Sequence, residues 1–428
     1  SAKYIYRYAA FFSRANFNWD GKYIINLTAR RDGSSRFGPG KQFASFGAIG
    51  GAWIFSNESL IKDNFSFLSF GKLRASYGIT GSDQIGNYQF LDTYSAGAVY
   101  QGTKGLTPSR LYNPDFAWEE NHKLEAAIEL GFINDRILLN TNYYRNRSSN
   151  QLVNYTVPMT TGFSGILSNL QATVQNTGVE FELKTVNIQR NFSWSTSLNF
   201  TVPKNKLIDF PNLETSTFAN TYVVGESIYI RKYYKSTGVN PETGLYTFKD
   251  YNSDGVLTDN DDRKSIVFVG QRFFGGFNNS ISYKGLQLDV FFQFVKQTGY
   301  NYKFQSGYYG PASNIPLAGW ESIRWRQPGD VAETQRLATE TNDAAYRAGT
   351  FYSQVSDAII GDASFIRCKN IALSYTLPAA WLKRFVARLY LQGQNLFVIT
   401  KYKGYDPETQ VSRLGPLRML TMGVQFTL

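Results

Sequence analysis

Side-chain hydropathy in this chain alternates with a period of two residues, from near the first residue to the last. Phe192, Trp194, Thr196, Leu198, Phe200 and Val202 interleave with Ser193, Ser195, Ser197, Asn199 and Thr201. Leu286, Leu288, Val290, Phe292 and Phe294 interleave with Gln287, Asp289 and Gln293, and Phe291 is the one exception. Leu420, Met422, Val424, Phe426 and Leu428 interleave with Thr421, Gly423, Gln425 and Thr427. Successive side chains of a strand point to opposite faces, so each segment has one apolar and one polar face. The segments run roughly ten to fourteen residues, about twice a usual soluble strand. That length suits a tilted strand crossing a bilayer, with apolar residues toward lipid and polar ones toward a wet lumen. The expected class is all-β, a transmembrane antiparallel β-barrel.

Composition follows the same logic. The chain holds 29 Tyr and 33 Phe, more than a core needs, and barrels use aromatic residues as lipid-facing bulk and interfacial belts. No run approaches the roughly twenty apolar residues of a transmembrane helix. Cys368 stands alone, which excludes an internal disulfide framework and a thiolate metal cluster. The formal charge is +11, but Lys and Arg are scattered, as at Lys72 and Arg74, and read as lumen or loop surface rather than a nucleic-acid footprint.

About thirteen strands emerge. They cover approximately 4–19, 22–32, 43–55, 70–80, 124–133, 136–147, 178–186, 192–202, 274–283, 286–297, 363–377, 387–400 and 417–428. Asp20-Gly21, Asn134-Asp135 and Lys284-Gly285 read as two-residue hairpin turns, made of residue types that accept positive φ. Slightly longer turns follow at 187–191 and 378–383, whereas 203–273 and 298–362 are large connections. Short turns face the periplasm and long loops the outside, which also places the C-terminus in the periplasm. An odd strand count sets the first and last strands parallel, so they cannot close a barrel antiparallel, and an open edge in lipid leaves backbone groups unpaired. With no export signal at Ser1, residues 1–428 read as the C-terminal part of a longer β-barrel domain.

The segment Arg30-Arg31-Asp32-Gly33-Ser34-Ser35-Arg36-Phe37-Gly38-Pro39 resembles the RRDGSSRFGP signature of SusC/RagA-type TonB-dependent outer-membrane transporters. Similar stretches follow in the family's order: Leu73 to Gly78, Asn113 to Glu119, Asn176 to Glu182, Gly275 to Asn279 with Tyr283 to Gly285, and Gly393 to Phe397. The resemblance implies a barrel of about twenty-two strands filled by an N-terminal plug. Plug, TonB box and the first strands, about nine of them, would lie outside this chain. It also implies a SusD-like lipoprotein lid, energy from TonB–ExbB–ExbD acting through that missing N-terminal part, and import of an oligosaccharide or peptide across the outer membrane. Two alternatives stay open: a passive porin-like channel and a soluble all-β binding module.

Within the first large loop, Asp250-Tyr251-Asn252-Ser253-Asp254-Gly255-Val256, continuing to Asp261, fits D-x-N-x-D-G-x5-D. Side-chain oxygens of Asp250, Asn252 and Asp254, the Val256 carbonyl and the Asp261 carboxylate would suit structural Ca²⁺, with Gly255 allowing the sharp turn. Asp261 replaces the usual bidentate Glu, and Asp259 or Asp262 are substitutes for it. The alternative is a solvated acidic turn. Tyr308, Tyr309, Trp320, Arg324 and Trp325 in the second loop are candidate substrate contacts, since aromatic faces stack on sugars and Arg binds carboxylates and carbonyls. Loop packing or a partner interface is the competing reading. Inward Arg30, Arg74 and Arg145 are candidates to pair with plug acids.

No enzyme is expected. His122 is the only histidine, so a multi-histidine zinc site cannot be built, and no Ser or Cys nucleophile signature is present. Asp115 with Glu119 reads as a polar loop end rather than a glycosidase pair.

Overall fold

The computed structural model describes residues 5–155, 160, 162–163, 165–306, 320–338, 340–378, 385–410 and 414–427. Thirteen long strands take their places in an antiparallel sheet in the order in which the chain makes them. The chain divides into two compact units.

The first unit comprises residues 1–184, 203–219 and 223–228. It contains β1 (Tyr8–Trp19), β2 (Tyr23–Ser34), β3 (Phe43–Trp53), β4 (Leu68–Ser82), β5 (Glu119–Phe132) and β6 (Ile137–Ser149). β7 (Thr173–Gln189) and β8 (Phe192–Asp209) each have residues in both units. The second unit carries β9 (Gly270–Tyr283), β10 (Leu286–Tyr300), β11 (Phe365–Thr376), β12 (Val386–Thr400) and β13 (Met419–Thr427).

Register converts the alternation into two faces. β1 pairs with β2 without interruption from Tyr8↔Ser34 to Trp19↔Tyr23, so Phe17 and Ile25 share one face while Asn16 and Asn26 share the other. The apolar row continues through Trp53↔Leu73 and Leu73↔Ile128, and the polar row through Lys72↔Glu129. In the second unit Leu198 pairs with Phe277 and Phe277 with Phe292, while Ser197 pairs with Asn278. Phe11 keeps 73% and Met422 84% of its surface exposed. A soluble protein rarely leaves rows of such residues bare, so this face requires an apolar solvent.

Of the three turns expected to have two residues, only Lys284-Gly285 has that length; Asp20-Gly21 lies in a three-residue connection, 20–22, and Asn134-Asp135 in a four-residue one, 133–136, where Ile133 also takes positive φ. Asp20 and Gly21, Asn134 and Asp135, and Lys284 and Gly285 all have positive φ. Phe291, the exception to alternation, has a packing reason. A Cβ at Gly276 would come within 2.7 Å of its ring, so glycine makes room for an aromatic plate on the otherwise polar face.

Several strands exceed their expected lengths at the loop ends, whereas β1, β11 and β13 start two to four residues later than expected. β8 continues to Asp209 rather than stopping near residue 202, and β7 spans 17 residues. Within the connections lie two antiparallel hairpins that periodicity did not reveal, Thr93–Tyr100 with Thr103–Arg110 and Gln151–Tyr155 with Ile166–Leu170. Their strands are only five to eight residues long, and Leu152 and Leu167 of the second hairpin pack against the cluster of Phe37, Phe116 and Trp118. Among the described residues β1 is bonded to β2 alone and β13 to β12 alone.

Placing Arg at Leu198, at mid-strand on the apolar face, is expected to lower folding stability in lipid vesicles by about 2–4 kcal/mol. Ser197→Arg, one residue away on the polar face, is expected to change it by less than about 1 kcal/mol. Equal effects would contradict the assignment of faces.

Candidate functional site

At the long-loop end of the first unit, the segment 30–39 is pinned by hydrogen bonds and by one buried ring, Phe37. Arg30 Nε donates to Asp32 Oδ1 at 2.5 Å and its Nη2 to the Tyr8 hydroxyl at 2.6 Å. Ser34 Oγ donates to Asp83 at 2.7 Å, and Arg36 reaches the Asp83 carbonyl at 2.8 Å while stacking 4.3 Å over the Tyr6 ring. Phe37 is fully buried, with Trp118 at 5.0 Å and Phe116 at 6.1 Å between ring centres. The Trp118 indole N–H donates to the Gln42 carbonyl. Asn169 exchanges hydrogen bonds with both backbone groups of Ala117 at 2.8 and 2.9 Å. Two segments far apart in the sequence, 30–39 and 113–119, therefore share one core, worth roughly 1.5–3 kcal/mol for each buried ring.

The polar face of this unit is charged and only partly self-satisfied. Arg74 Nε lies 3.0 Å from Glu129 and Nη1 3.6 Å from Glu125, and Lys72 lies 3.4 Å from Glu129. Arg30 and Arg74 thus have acid partners within the chain. Arg145 is on the other face: it sits opposite Leu124, in the same outward row as Tyr143. The expectation that it points inward is corrected. β6 reads I-L-L-N-T-N-Y-Y-R-N-R, with apolar residues on both parities, so only the partner strands decide its phase. The Oδ1 atoms of Asn121, Asn140, Asn142 and Asn146, all inward, have no hydrogen-bond partner among the described residues. A polar face of this kind needs water or another protein surface.

In the second unit the described parts of the two large connections from residue 229 onward pack on each other. Strand Ile230–Tyr233 pairs with Ser265–Phe268, and Ser236–Val239 with Tyr246–Phe248. The helix Ala344–Val355, capped by the Asp343 side chain, lies against them. Tyr246 stacks on Tyr352 at 3.7 Å, and Tyr234 meets Phe351 at 4.3 Å. Burial pushes the hydroxyls of Tyr246 and Tyr352 well above their ordinary range. Asp357 ties these parts together, accepting from Lys235 Nζ at 2.9 Å, Ser236 N at 3.0 Å and Ser265 Oγ at 2.8 Å. Nothing local in the sequence marks Asp357, because its partners lie about ninety to one hundred and twenty residues away.

The acidic loop closes on itself. Asp250 accepts from Ser253 N at 2.7 Å and Gly255 N at 2.8 Å, and Asp254 Oδ1 from Val256 N at 2.7 Å. Asn252 Nδ2 donates to Asp254 at 2.9 Å, and Gly255 takes φ 80° at the sharp turn. Thr258 caps the short helix Asp259–Asp262 and donates its hydroxyl to Asp261. The two proposed substitutes are committed elsewhere. Asp262 is buried and accepts from Tyr251 N and Thr258 N, while Asp259 accepts from the Tyr234 hydroxyl and Arg263. Among the described residues no three acidic, His or Cys side chains converge as a metal cage. The donors are all hard oxygens in an order that suits Ca²⁺, and carboxylates retain lone pairs beyond those given to the backbone amides.

Of the candidate substrate contacts, Tyr308 and Tyr309 lie outside the described residues. Trp320 opens a helical turn, Trp320–Ile323, and Arg324 forms a β-bridge with Thr334. Trp325 is 9% exposed, donates its indole N–H to the Pro241 carbonyl at 2.7 Å and packs over Gly244. In this arrangement it holds the loops to each other and offers little face to a ligand.

The backbone amides of Thr258 and Tyr251 hold the Asp262 carboxyl below its usual range, and the Tyr234 hydroxyl and Arg263 do the same for Asp259. Such groups contribute stability above the unfolded carboxylate pKa of about 4, which is lost as pH falls through the depressed folded values. Hydrogen-exchange protection of 230–268 is expected to hold from pH 7 to about 4.5 and to decline below about 4. Protection independent of pH down to 2 would contradict this pinning.

Comparison with known proteins places the chain. The family profile described as TonB dependent receptor-like, beta-barrel matches residues 1–396. TonB-dependent receptor P39 of Formosa agariphila is 28% identical over 94% of this chain and 43% of its own length. TonB-dependent receptor SusC of Bacteroides thetaiotaomicron is 26% identical over 94% of this chain and 41% of its own. A structure of the RagAB peptide transporter superposes with TM-score 0.81 and 25% identity, covering 98% of this chain and 48% of that one. The chain therefore spans less than half the length of the relatives it matches.

Proposed function

The chain belongs to the TonB dependent receptor-like β-barrel family, and from that premise we propose that it supplies barrel wall and external loops to an energised importer of the outer membrane. Its cargo is a large nutrient, an oligosaccharide or a peptide. The observation that carries this reading is the division of labour along the strands. Tight turns close one end, while at the other the described long connections of each unit are ordered on buried aromatic side chains. A passive pore has no need of so large a built surface. A receptor uses it to receive cargo and a partner.

That partner is a SusD-like surface lipoprotein seated on the long loops, and the energy comes from TonB–ExbB–ExbD acting through parts of the protein outside this chain. Support comes from the SusC relative and from the likeness to the RagAB peptide transporter. The polar inward face, with its unpaired Asn amide oxygens, is the side on which a plug and water would sit. The relatives are receptors and transporters, and no catalytic step is proposed.

Ca²⁺ in this reading is a structural brace. Asp250, Asn252 and Asp254 would hold it by their side chains, Val256 by its carbonyl and Asp261 by its carboxylate. Calcium is expected to raise protection of 250–262 in the intact protein, and Asp250→Asn with Asp254→Asn to abolish the gain. Protection unaffected by calcium in the unmutated protein would remove the brace.

The transport reading is tested on the intact protein in planar bilayers and by affinity isolation from outer membranes. An electrically silent barrel that isolates with a stoichiometric lipoprotein is the expected result. Constitutive ion conductance without a lipoprotein would replace it with the porin-like channel.

A further inference from the structure

The outward face of β5 and β6 changes chemistry part of the way along the strands. From the 133–136 turn it is apolar, through Ile128 and Ala126 on β5 and Leu139 and Tyr143 on β6. Beyond Tyr143 the same row continues with Arg145 and Arg147. Arg147 is opposite His122, and Arg145 is opposite Leu124, which in turn is opposite Tyr77 of β4. The Tyr77 hydroxyl is 2.9 Å from His122 Nδ1, and Arg147 Nε donates to Gln175 at 2.7 Å. Tyr77, His122, Arg145, Arg147, Ser149 and Thr173 line an open pocket of about 270 Å³.

Further cations lie beside it. The Thr177 hydroxyl donates to the Lys204 carbonyl, and Asn205 turns inward to Asn176 at 2.7 Å, which leaves Lys204 and Lys206 outward and exposed. The acid on this part of the face, Glu120, is 3.6 Å from His122 Nε2. Among the described residues, neither Arg145 nor Arg147 lies within 4.0 Å of a carboxylate.

Next to the basic pocket, toward the turns, lies a shallow apolar groove of about 790 Å³. Its floor is Gly51, Ala75 and Ala126, aligned across three strands by the pairs Gly51↔Ala75 and Ala75↔Ala126. Trp53, Leu73 and Tyr143 rise around it. Small residues on neighbouring outward positions subtract side-chain volume where the rest of the face is bulky.

Height decides what fits. Arg145 stands roughly 27 Å along β6 from Ile137, which is about 20 Å along the membrane normal at a tilt near 40°. The apolar band is about 25 Å tall, so the guanidiniums reach the level of outer-leaflet headgroups and the groove lies at acyl-chain depth. We propose that this surface is a specific site for a phosphorylated glycolipid of the outer leaflet, with a phosphate on Arg145 and Arg147 and an acyl chain along the Gly51–Ala75–Ala126 floor. Arg presents paired N–H donors that match phosphate oxygens, and Tyr77, His122 and Ser149 offer hydrogen bonds to sugar hydroxyls. Charge alone would accept any anion. The adjoining groove selects an anion that carries a chain.

Native mass spectrometry of the delipidated intact protein tests this, with added lipid A, phosphatidylethanolamine or inorganic phosphate. One lipid A is expected to stay bound under conditions that strip phosphatidylethanolamine and phosphate. Arg145→Gln with Arg147→Gln is expected to lower its retention about tenfold. Ala75→Leu with Ala126→Leu, which fills the groove and spares the charges, is expected to lower it severalfold. Lys123→Gln, on the inward face of the same strand, is expected to leave it unchanged. Each variant is first shown to retain heat-modifiable mobility. Equal lipid A retention by the Arg double variant, undiminished retention by the groove variant, or inorganic phosphate held as firmly as lipid A would each overturn the proposal.

Discussion

The structure depends on one constraint: a backbone amide or carbonyl in hydrocarbon has no water to bond. Each unpaired group costs several kcal/mol, so strands that cross must be hydrogen-bonded on both sides along the crossing. Uninterrupted ladders such as β1–β2 and β5–β6 meet that demand. The same demand makes register unforgiving. A slip of one residue would turn Phe17, Ile25 and Trp53 inward and Asn16, Asn26 and Lys72 toward lipid. Alternation and tight turns act together here, because a hairpin with two positive-φ residues fixes which residues face each other.

Beyond the hydrocarbon the constraint lifts and the chain changes its means of support. The loop ends are held by buried aromatics and by acids that accept several bonds each. Phe37, Phe116 and Trp118 do this in the first unit. Asp357, Asp262 and the Tyr246–Tyr352 stack do it in the second. These are the devices of a water-soluble domain, and they give the external surface a defined shape. Asp362 belongs with them. Partial burial raises its carboxyl, but the Lys296 ammonium and Ser364 outweigh this and bring it down to about 2. An ordered external surface is what a receptor needs and a simple pore does not.

The membrane-crossing part was legible in the sequence because one physical variable, side-chain polarity, is written there with period two. The thirteen strands follow from it, and the places of the turns at Asp20, Asn134 and Lys284 from residue types that accept positive φ, although only the last is a two-residue turn. Legibility ended where the variable did. Past residue 202, β8 runs on through Lys204, Asn205 and Lys206, where both faces are wet and alternation carries no meaning. The two small hairpins at 93–110 and 151–170 were missed because their strands are only five to eight residues long and mix apolar with polar side chains on a face, as Leu152 and Leu167 with Asn169. Arg145 was given the wrong face because β6 carries apolar residues on both parities. Trp325 looked like a stacking surface, and only its long-range contacts with Pro241 and Gly244 show it packed between loops. The acidic loop was readable as a turn from its Asp, Asn and Gly spacing, but the inward turn of Asp262 depends on tertiary context.

The central claim is that one face of these strands meets lipid and the other a wet interior. Cysteine scanning along 192–202 in the intact protein, within outer-membrane vesicles, tests it most directly, with Cys368 buried and silent as background. The account predicts quenching by a lipid-dissolved probe at 194, 196, 198 and 200, and reaction with a water-soluble maleimide at 193, 195, 197 and 199. Labelling by the water-soluble reagent at every position, or quenching without a two-residue period, would contradict it.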